Sequence, residues 1–360
     1  MSKKIMFFVP SLGIGGAQKV ASFVINSYSE NGHKLTVVSY DRADKAIKFD
    51  SRINVIELNG SWGKSKSKIY SLLEKFKTFI GAKKIINKFK PDIVVVFGTI
   101  APINLALLSS NSLIIGTERG DPSAYTKFQK LSIKQLFKKA DKVVFQTPMA
   151  RDCYGELVEN KAFVIPNPCF LLQSPNEEIE SSIREKEIIS AGRLVEEKGF
   201  DILIRAFKRV HESFPEYKLT IYGDGPERSN LEHLIKELGF NNDDVKLLKG
   251  TNRLPEVMKK ASMFVLSSYY EGMPNVLLEA MSLGVPIVAC DCSPGGAKFL
   301  TKNGTIGGPL IPCGNPDVMS ETIINMLNNP KKMLELASKG TSVKDELHPD
   351  KISKKWMELI

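Results

Sequence analysis

The chain has 360 residues, 42% hydrophobic and 25% charged, which is enough for two domains that each bury a core and excludes a disordered chain or a disulfide-stapled miniature. Its net charge of +10 is lopsided: residues 1–180 carry 26 Lys and Arg against 16 Asp and Glu, whereas residues 181–360 carry 24 of each. The five cysteines (Cys153, Cys169, Cys290, Cys292, Cys313) form no C-x-x-C pair, so they read as reduced thiols of a cytosolic protein and exclude a zinc module.

The first residues predict a βαβ unit. An apolar strand (Ile5–Val9) runs through a loop with Gly13, Gly15 and Gly16 into a helix with Val20, Phe23, Val24 and Ser27 at helical spacing. The turn NGH then leads to the strand LTVVSY. Right-handed crossover places the glycine loop at the carboxyl edge of a parallel sheet, where backbone amides can approach phosphate. Lys3-Lys4 is followed directly by the short run IMFFVP, so no signal peptide is expected. His33, in the turn, is expected to be a structural cap.

Residues 61–90 hold nine lysines and one acid, Glu74, with Ile69, Leu72, Leu73, Phe76, Phe79, Ile80, Ile86 and Phe89 at helical spacing. A second basic stretch, KFQKLSIKQLFKKADK, covers 127–142. The plain reading is two helices packed on the sheet with solvated outer faces. Two basic amphipathic stretches in the half that holds the whole charge excess also predict contact with an anionic membrane surface. No nucleic-acid motif accompanies the lysines.

Ile93 to Thr117 carries no charge but is broken by Gly98, Pro102, Asn104 and SSNS, so it reads as strand, short helix, strand in a buried core rather than a membrane span. Strands follow at KVVFQT and FVIPNP. The polar, acidic segment after them predicts a linker at 171–187, dividing a first domain (1–170) from a second (188–345), with a C-terminal helix (346–360) returning to the first.

The second domain restarts the alternation: IISAG, a helix from about Phe200, LTIYG, a helix from about Pro226, VKLLKG, PEVMKKA, FVLSS, a helix near Asn275, and PIVAC. Arg193 and Lys198 follow the first of these strands at its carboxyl end, where an open α/β sheet binds ligands and two cations could offset a diphosphate. Glu271 falls in the turn YYEGMP and Glu279 one turn into the next helix, with Asn275 as the expected N-cap. Two carboxylates beside a helix N-terminus suit a ligand with hydroxyls on both sides of a phosphate, as in a nucleotide sugar.

The spacing Glu271-x7-Glu279 within EGMPNVLLEAMSLGVPIVA closely resembles the signature of retaining glycosyltransferases of family 4, and the resemblance extends over the whole chain. It implies an α/β GT-B fold, with two Rossmann-like domains whose parallel sheets face across a cleft. It also implies that Glu271 contacts the transferred sugar, Glu279 the ribose, and Arg193 and Lys198, in a match to the GRL…KG motif, the diphosphate. Gly272, Met273, Pro274 and Asn275 belong to the same donor loop. Gly15 and Gly16 resemble the family's GGA loop near the donor phosphate, and YGDGPER (222–228) a turn under the nucleotide. Arg253 and Leu254 stand where backbone atoms hold the base. Lys298 stands where the family commonly has an acid. Glu118-Arg119 replaces a His that many members carry, which argues against a neutral imidazole and places both residues on the acceptor side.

The expected activity is retaining transfer of a hexose or N-acetylhexosamine, most simply from a UDP-sugar. The expected acceptor is a polyprenyl-diphosphate-linked saccharide of cell-surface polysaccharide assembly, met by a peripheral protein at the cytoplasmic face of the membrane. No Asp-x-Asp motif appears, so neither a metal nor another cofactor is expected. Three rivals remain. A nicotinamide oxidoreductase would use Gly13–Gly16 and Asp41, although the third glycine of G-x-G-x-x-G is missing. The others are a non-hydrolysing sugar-nucleotide epimerase of the same fold and a non-catalytic sugar-nucleotide sensor.

Overall fold

The computed structural model describes residues 2–13, 15–41, 49–60, 68–98, 100–171 and 184–360. They fall into two compact units, Met1–Asn167 with Asp350–Ile360, and Pro168–Pro349.

The first unit is a seven-stranded, all-parallel sheet of β1 (Lys4–Val9), β2 (Lys34–Asp41), β3 (Asn54–Gly60), β4 (Ile93–Val96), β5 (Leu113–Thr117), β6 (Lys142–Phe145) and β7 (Ala162–Val164). The spatial order is β3-β2-β1-β4-β5-β6-β7, so the winding reverses between β1 and β4. The charge-free stretch resolves into β4, the helix Ala101–Leu107 and β5, because Pro102 suits a first helical turn. Among the described residues no helix is long and apolar enough to cross a membrane. With that short helix as α3, the first unit's helices are α1 (Gly16–Glu30), α2 (Lys68–Phe89), α3, α4 (Lys127–Lys139) and α5 (Pro148–Asp152). His33 is a structural acceptor: Lys3 N–H donates to its Nδ1 at 3.2 Å.

One side of the sheet buries Met6, Phe8, Val94, Val96, Ile103, Ile133, Phe137 and Phe145 in a single core. On α2 the inward residues are Ala82 and Ile86, but Leu72, Leu73 and Phe76 are 69%, 53% and 59% exposed, and Ile80 is also exposed. Its outer face is therefore not simply solvated lysine. On α4, Phe128 and Leu131 are exposed as well, and Lys75 Nζ lies 5.4 Å above the Phe128 ring, so the exposed apolar residues of the two helices adjoin.

The second unit is a six-stranded parallel sheet in the order β10-β9-β8-β11-β12-β13, which reverses between β8 and β11. Its strands are β8 (Glu185–Ala191), β9 (Lys218–Tyr222), β10 (Val245–Leu248), β11 (Ala261–Leu266), β12 (Ile287–Cys290) and β13 (Leu310–Ile311). Its helices are α6 (Phe200–Ser213), α7 (Arg228–Glu237), α8 (Leu254–Lys260), α9 (Asn275–Ser282), α10 (Gly296–Leu300), α11 (Pro316–Asn328), α12 (Pro330–Gly340) and α13 (Val343–Glu346), and α14 (Pro349–Met357) ends the chain.

Most of the predicted linker lies outside the described residues. Its last three residues are already in β8, where Glu187 pairs with Lys218 and accepts a hydrogen bond from the Thr220 hydroxyl at 2.5 Å. Polar composition hid this strand start, because a carboxylate at the first residues of a strand can be satisfied across the ladder.

α14 contributes the fully buried Trp356 to the first unit. Its ring stacks on Phe97 with centroids 6.1 Å apart, and its carbonyl accepts from the Tyr28 hydroxyl at 2.6 Å.

Candidate active site

Two loops at the carboxyl edge of the second sheet build the site, and they leave the two strands, β8 and β11, that flank the reversal in strand order. Ligands of open α/β sheets bind in the crevice at such a reversal. The first loop turns at Gly199, whose φ is +58° and whose missing side chain is required: a Cβ there would lie 2.4 Å from the Ser267 carbonyl oxygen. That approach lets Tyr269 N–H donate to Glu197 O at 2.9 Å and the Ser267 hydroxyl donate to Lys198 O at 2.7 Å.

With the loops fastened together, Lys198 Nζ donates to Glu271 Oε1 at 2.5 Å, and the Ser268 hydroxyl donates to the same oxygen at 2.9 Å. The pair is mostly shielded, with 22% and 14% of the two side chains exposed. Lys198 and Glu271, 73 residues apart, are thus brought together. Arg193 is not part of this contact. It lies on the same loop but is 70% exposed, 3.3 Å from Glu197 in a surface pair that contributes little to stability.

The turn YGDGP supports the β8 loop from beneath. Leu194 N–H donates to Asp224 O at 2.9 Å, Gly192 N–H to Tyr222 O at 3.0 Å and Glu227 N–H to Leu194 O at 3.0 Å. Gly225 has no room for a side chain, since a Cβ would sit 2.3 Å from Leu194 O.

On the other side, Glu271 N–H donates to Ser293 O at 2.9 Å, and Gly296 packs so closely on Gly272 and Met273 that a Cβ would meet Gly272 O at 2.5 Å. Pro274, rather than Asn275, occupies the cap position of α9, and Asn275 is the first helical residue. Proline's fixed φ and missing N–H suit a helix entry as well as a side-chain cap does. Glu279 is the fifth residue of α9, partly buried, on the face that also carries Asn275 one turn earlier. Arg253 is 79% exposed and paired with Glu256 at 2.8 Å, and Leu254 opens α8. Lys298 lies 3.4 Å from Asp291.

In the first unit, Gly15 holds the cap position of α1 with extended backbone and Gly16 begins the helix; a Cβ on Gly15 would lie 2.3 Å from Gln18 Oε1. The β5 loop departs most from expectation. Glu118 is buried, with both oxygens occupied: Oε1 accepts from Arg119 N–H (2.9 Å), Gly120 N–H (3.1 Å) and the Tyr125 hydroxyl (2.6 Å), and Oε2 accepts from the Tyr154 hydroxyl. Burial pushes its carboxyl above the usual carboxylate range, with the four donors working against that shift. Glu118 therefore anchors the loop from within.

Arg119 points elsewhere. Its Nη1 donates to Asn167 Oδ1 at 3.1 Å, its plane lies over Phe97 (4.3 Å) and Trp356 (5.6 Å), and burial pushes its guanidinium down to about 9 against the pull of Glu118. Among the described residues no group of three or more His, Cys, Asp or Glu side chains is placed to hold a metal ion.

Sequence reasoning missed Ser267 and Ser268, whose only signal is two small polar residues at a strand end, Tyr125, which lies in the same loop as Glu118, and Tyr154 and Asn167, which are distant from Glu118 and Arg119 in the chain.

Two doubly wound parallel sheets, the second with a lysine–carboxylate pair at its switch point, are the architecture of the GT-B fold. Residues 17–147 match the family described as glycosyl transferase 4-like, and residues 175–343 match glycosyl transferases group 1, so the chain carries one glycosyltransferase domain of each description. A protein of Haemophilus influenzae described as an uncharacterized glycosyltransferase is 28% identical over 99% of this chain and all of its own. A Campylobacter jejuni enzyme, named N-acetylgalactosamine-N,N'-diacetylbacillosaminyl-diphospho-undecaprenol 4-alpha-N-acetylgalactosaminyltransferase, is 27% identical over 91% of each chain. The crystal structure of Anabaena HepE in complex with UDP and glucose shares the fold, with a TM-score of 0.77 at 18% identity over 99% of each chain.

Proposed function

We propose that the chain is a retaining, metal-independent glycosyltransferase of the family 4 type. It moves a hexose or N-acetylhexosamine from a UDP-sugar to a lipid-diphosphate-linked saccharide in cell-surface polysaccharide assembly. The observation that carries the donor reading is the Lys198–Glu271 pair, drawn from the two loops at the switch point of the second sheet. An oxidoreductase or a first-unit dinucleotide site gives that pair no task.

In this reading Lys198 leaves Glu271 for the donor diphosphate, Arg193 swings from its exposed pair with Glu197 to the same group, and the N-terminus of α9 adds its partial positive charge. Glu271 turns to the hydroxyls of the transferred sugar, Glu279 holds the ribose, and the loop at Arg253 and Leu254 borders the base. Gly272 to Asn275 line the sugar, and the Gly15–Gly16 loop of the first unit offers backbone amides to a phosphate.

Attack occurs on the face the leaving group departs from. The acceptor hydroxyl oxygen bonds to the anomeric carbon as the bond to the diphosphate oxygen breaks, and the acceptor proton passes to that departing oxygen. The charge is held by the two cations, so no metal is called for. The names of the Campylobacter jejuni relative and of the UDP-bound HepE support the choice of acceptor and nucleotide.

Membrane contact at the cytoplasmic face belongs to the same reading. The exposed Leu72, Leu73, Phe76, Ile80, Phe128 and Leu131 lie among the lysines of α2 and α4, apolar residues for insertion ringed by charges for anionic headgroups.

The test is a screen of UDP-, GDP- and ADP-sugars for donor hydrolysis and thermal stabilisation, with and without EDTA, followed by proton NMR of the anomeric configuration of the product. Preference for another nucleotide, loss of turnover in EDTA restored by Mg²⁺, or an inverted product would each overturn the corresponding part.

A further inference from the structure

Arg119 carries a complete hydrogen-bonding edge that the protein does not use. Its Nη1 is taken by Asn167, but Nε and Nη2 are buried without an acceptor among the described residues. Those two nitrogens form the side-on fork of a guanidinium, the pair of parallel donors that matches two oxygens of a carboxylate or phosphate. The adjacent acid cannot serve, because Glu118 already accepts four hydrogen bonds, two of them from tyrosine hydroxyls. Buried donors left unsatisfied are rare and costly, more so on a cation.

The same residue lines a pocket of about 50 Å³, partly open to solvent, whose other walls include Val9, Pro10, Ser11, Gln18, Phe97 and Gly98. These residues come from the ends of β1 and β4 and the start of α1. The pocket thus lies where the first sheet reverses its strand order, the crevice in which such a sheet takes its ligand. Arg119 is held there by stacking on Phe97 and by Asn167, itself fixed by Gln146 Nε2 at 2.9 Å, so the planar group is oriented before any ligand arrives.

We infer that Arg119 is an oxyanion-binding residue of the acceptor, holding a phosphate or carboxylate group through its Nε and Nη2 in the first unit's switch-point pocket. The inference rests on the reading of Glu118 and Arg119 as acceptor-side residues. Glu118 is then the positioning residue that shapes the loop, and Arg119 the one that touches substrate. Because the fork is closed to water in this conformation, the incoming anion displaces a neighbouring side chain as it binds. The diphosphate of a lipid carrier and the carboxylate of an acidic sugar are the two sources of such a group.

The experiment is isothermal titration of the full chain, saturated with UDP to occupy the proposed donor site, with pyrophosphate, inorganic phosphate or glucuronate at constant ionic strength. At least one anion binds the parent; pyrophosphate above glucuronate assigns the carrier diphosphate, and the reverse order an acidic sugar. Arg119→Lys, which keeps the charge and loses the fork, weakens the preferred anion about tenfold, and Arg119→Gln weakens it further, on the scale of lost charge-assisted hydrogen bonds. Equal affinity in Arg119→Lys and the parent, or no binding of any of the three anions, overturns the inference. Should Arg119→Gln not fold, the Lys variant decides. UDP affinity, measured for each variant, reports separately on the donor site, so a failure there is not mistaken for a failure here.

Discussion

Glu271→Gln separates two roles that the geometry joins. Glu271 Oε1 accepts from Lys198 at 2.5 Å and from Ser268 at 2.9 Å, with most of both charged side chains out of solvent. If Lys198 is to neutralise a diphosphate, it must give up that contact, so Glu271 competes with the ligand. A charge-assisted hydrogen bond contributes about 1.5–3 kcal/mol, roughly twice a neutral one, so replacing the carboxylate by an amide lowers the competition by about 1 kcal/mol.

UDP should therefore bind Glu271→Gln about fivefold more tightly, while transfer falls at least tenfold because the carboxylate no longer meets the sugar. Lys198→Ala should weaken UDP tenfold or more, and in that background the gain from Glu271→Gln should vanish, since its cause is gone. Titration calorimetry with UDP on the four proteins of this cycle supplies the coupling directly. Weaker UDP binding by Glu271→Gln, or an undiminished gain without Lys198, would refute the competition.

Glu279→Gln should weaken UDP by about ten- to a hundredfold through lost charged hydrogen bonds to the ribose, read by the same titration. An unchanged dissociation constant would remove the ribose assignment. Burial raises the Glu118 carboxyl above its ordinary 4.5, so the fold favours the protonated form; that contribution is fully present below about pH 4.5 and is lost as pH rises through the raised value. The melting temperature of the parent relative to Glu118→Gln should accordingly decline upward from about pH 4.5, and a difference independent of pH would contradict it. Replacing Lys83, Lys84 and Lys88 together by Glu should release the protein from anionic vesicles, and salt should do the same to the parent, because surface attraction of about 1 kcal/mol per lysine is screened within about 8–10 Å. Co-sedimentation with neutral and anionic lipid tests this, and equal pelleting on both would sink it.

The alternation of strands and helices, the glycine loop opening α1 and the order of motifs around Glu271 and Glu279 were legible in the chain because each is local. Hydrophobic period, turn chemistry and motif spacing act over a few residues. The same locality explains the misses. Asn275 looked like a cap, yet Pro274 holds that position, and three residues assigned to the linker belong to β8, where Thr220 satisfies Glu187 from the neighbouring strand.

The pairing of Lys198 with Glu271 depends on β8 and β11 lying side by side in the sheet and on Gly199 admitting the Ser267 carbonyl. No spacing along the chain encodes that adjacency. Glu118 and Arg119 make the contrast plainest. As neighbours in sequence they read as one polar acceptor-side pair, but the fold turns the carboxylate inward onto Tyr125 and Tyr154 and leaves the guanidinium fork without an acceptor among the described residues. Tertiary packing made that division, because a buried charge is tolerated only where donors and acceptors from distant segments converge on it.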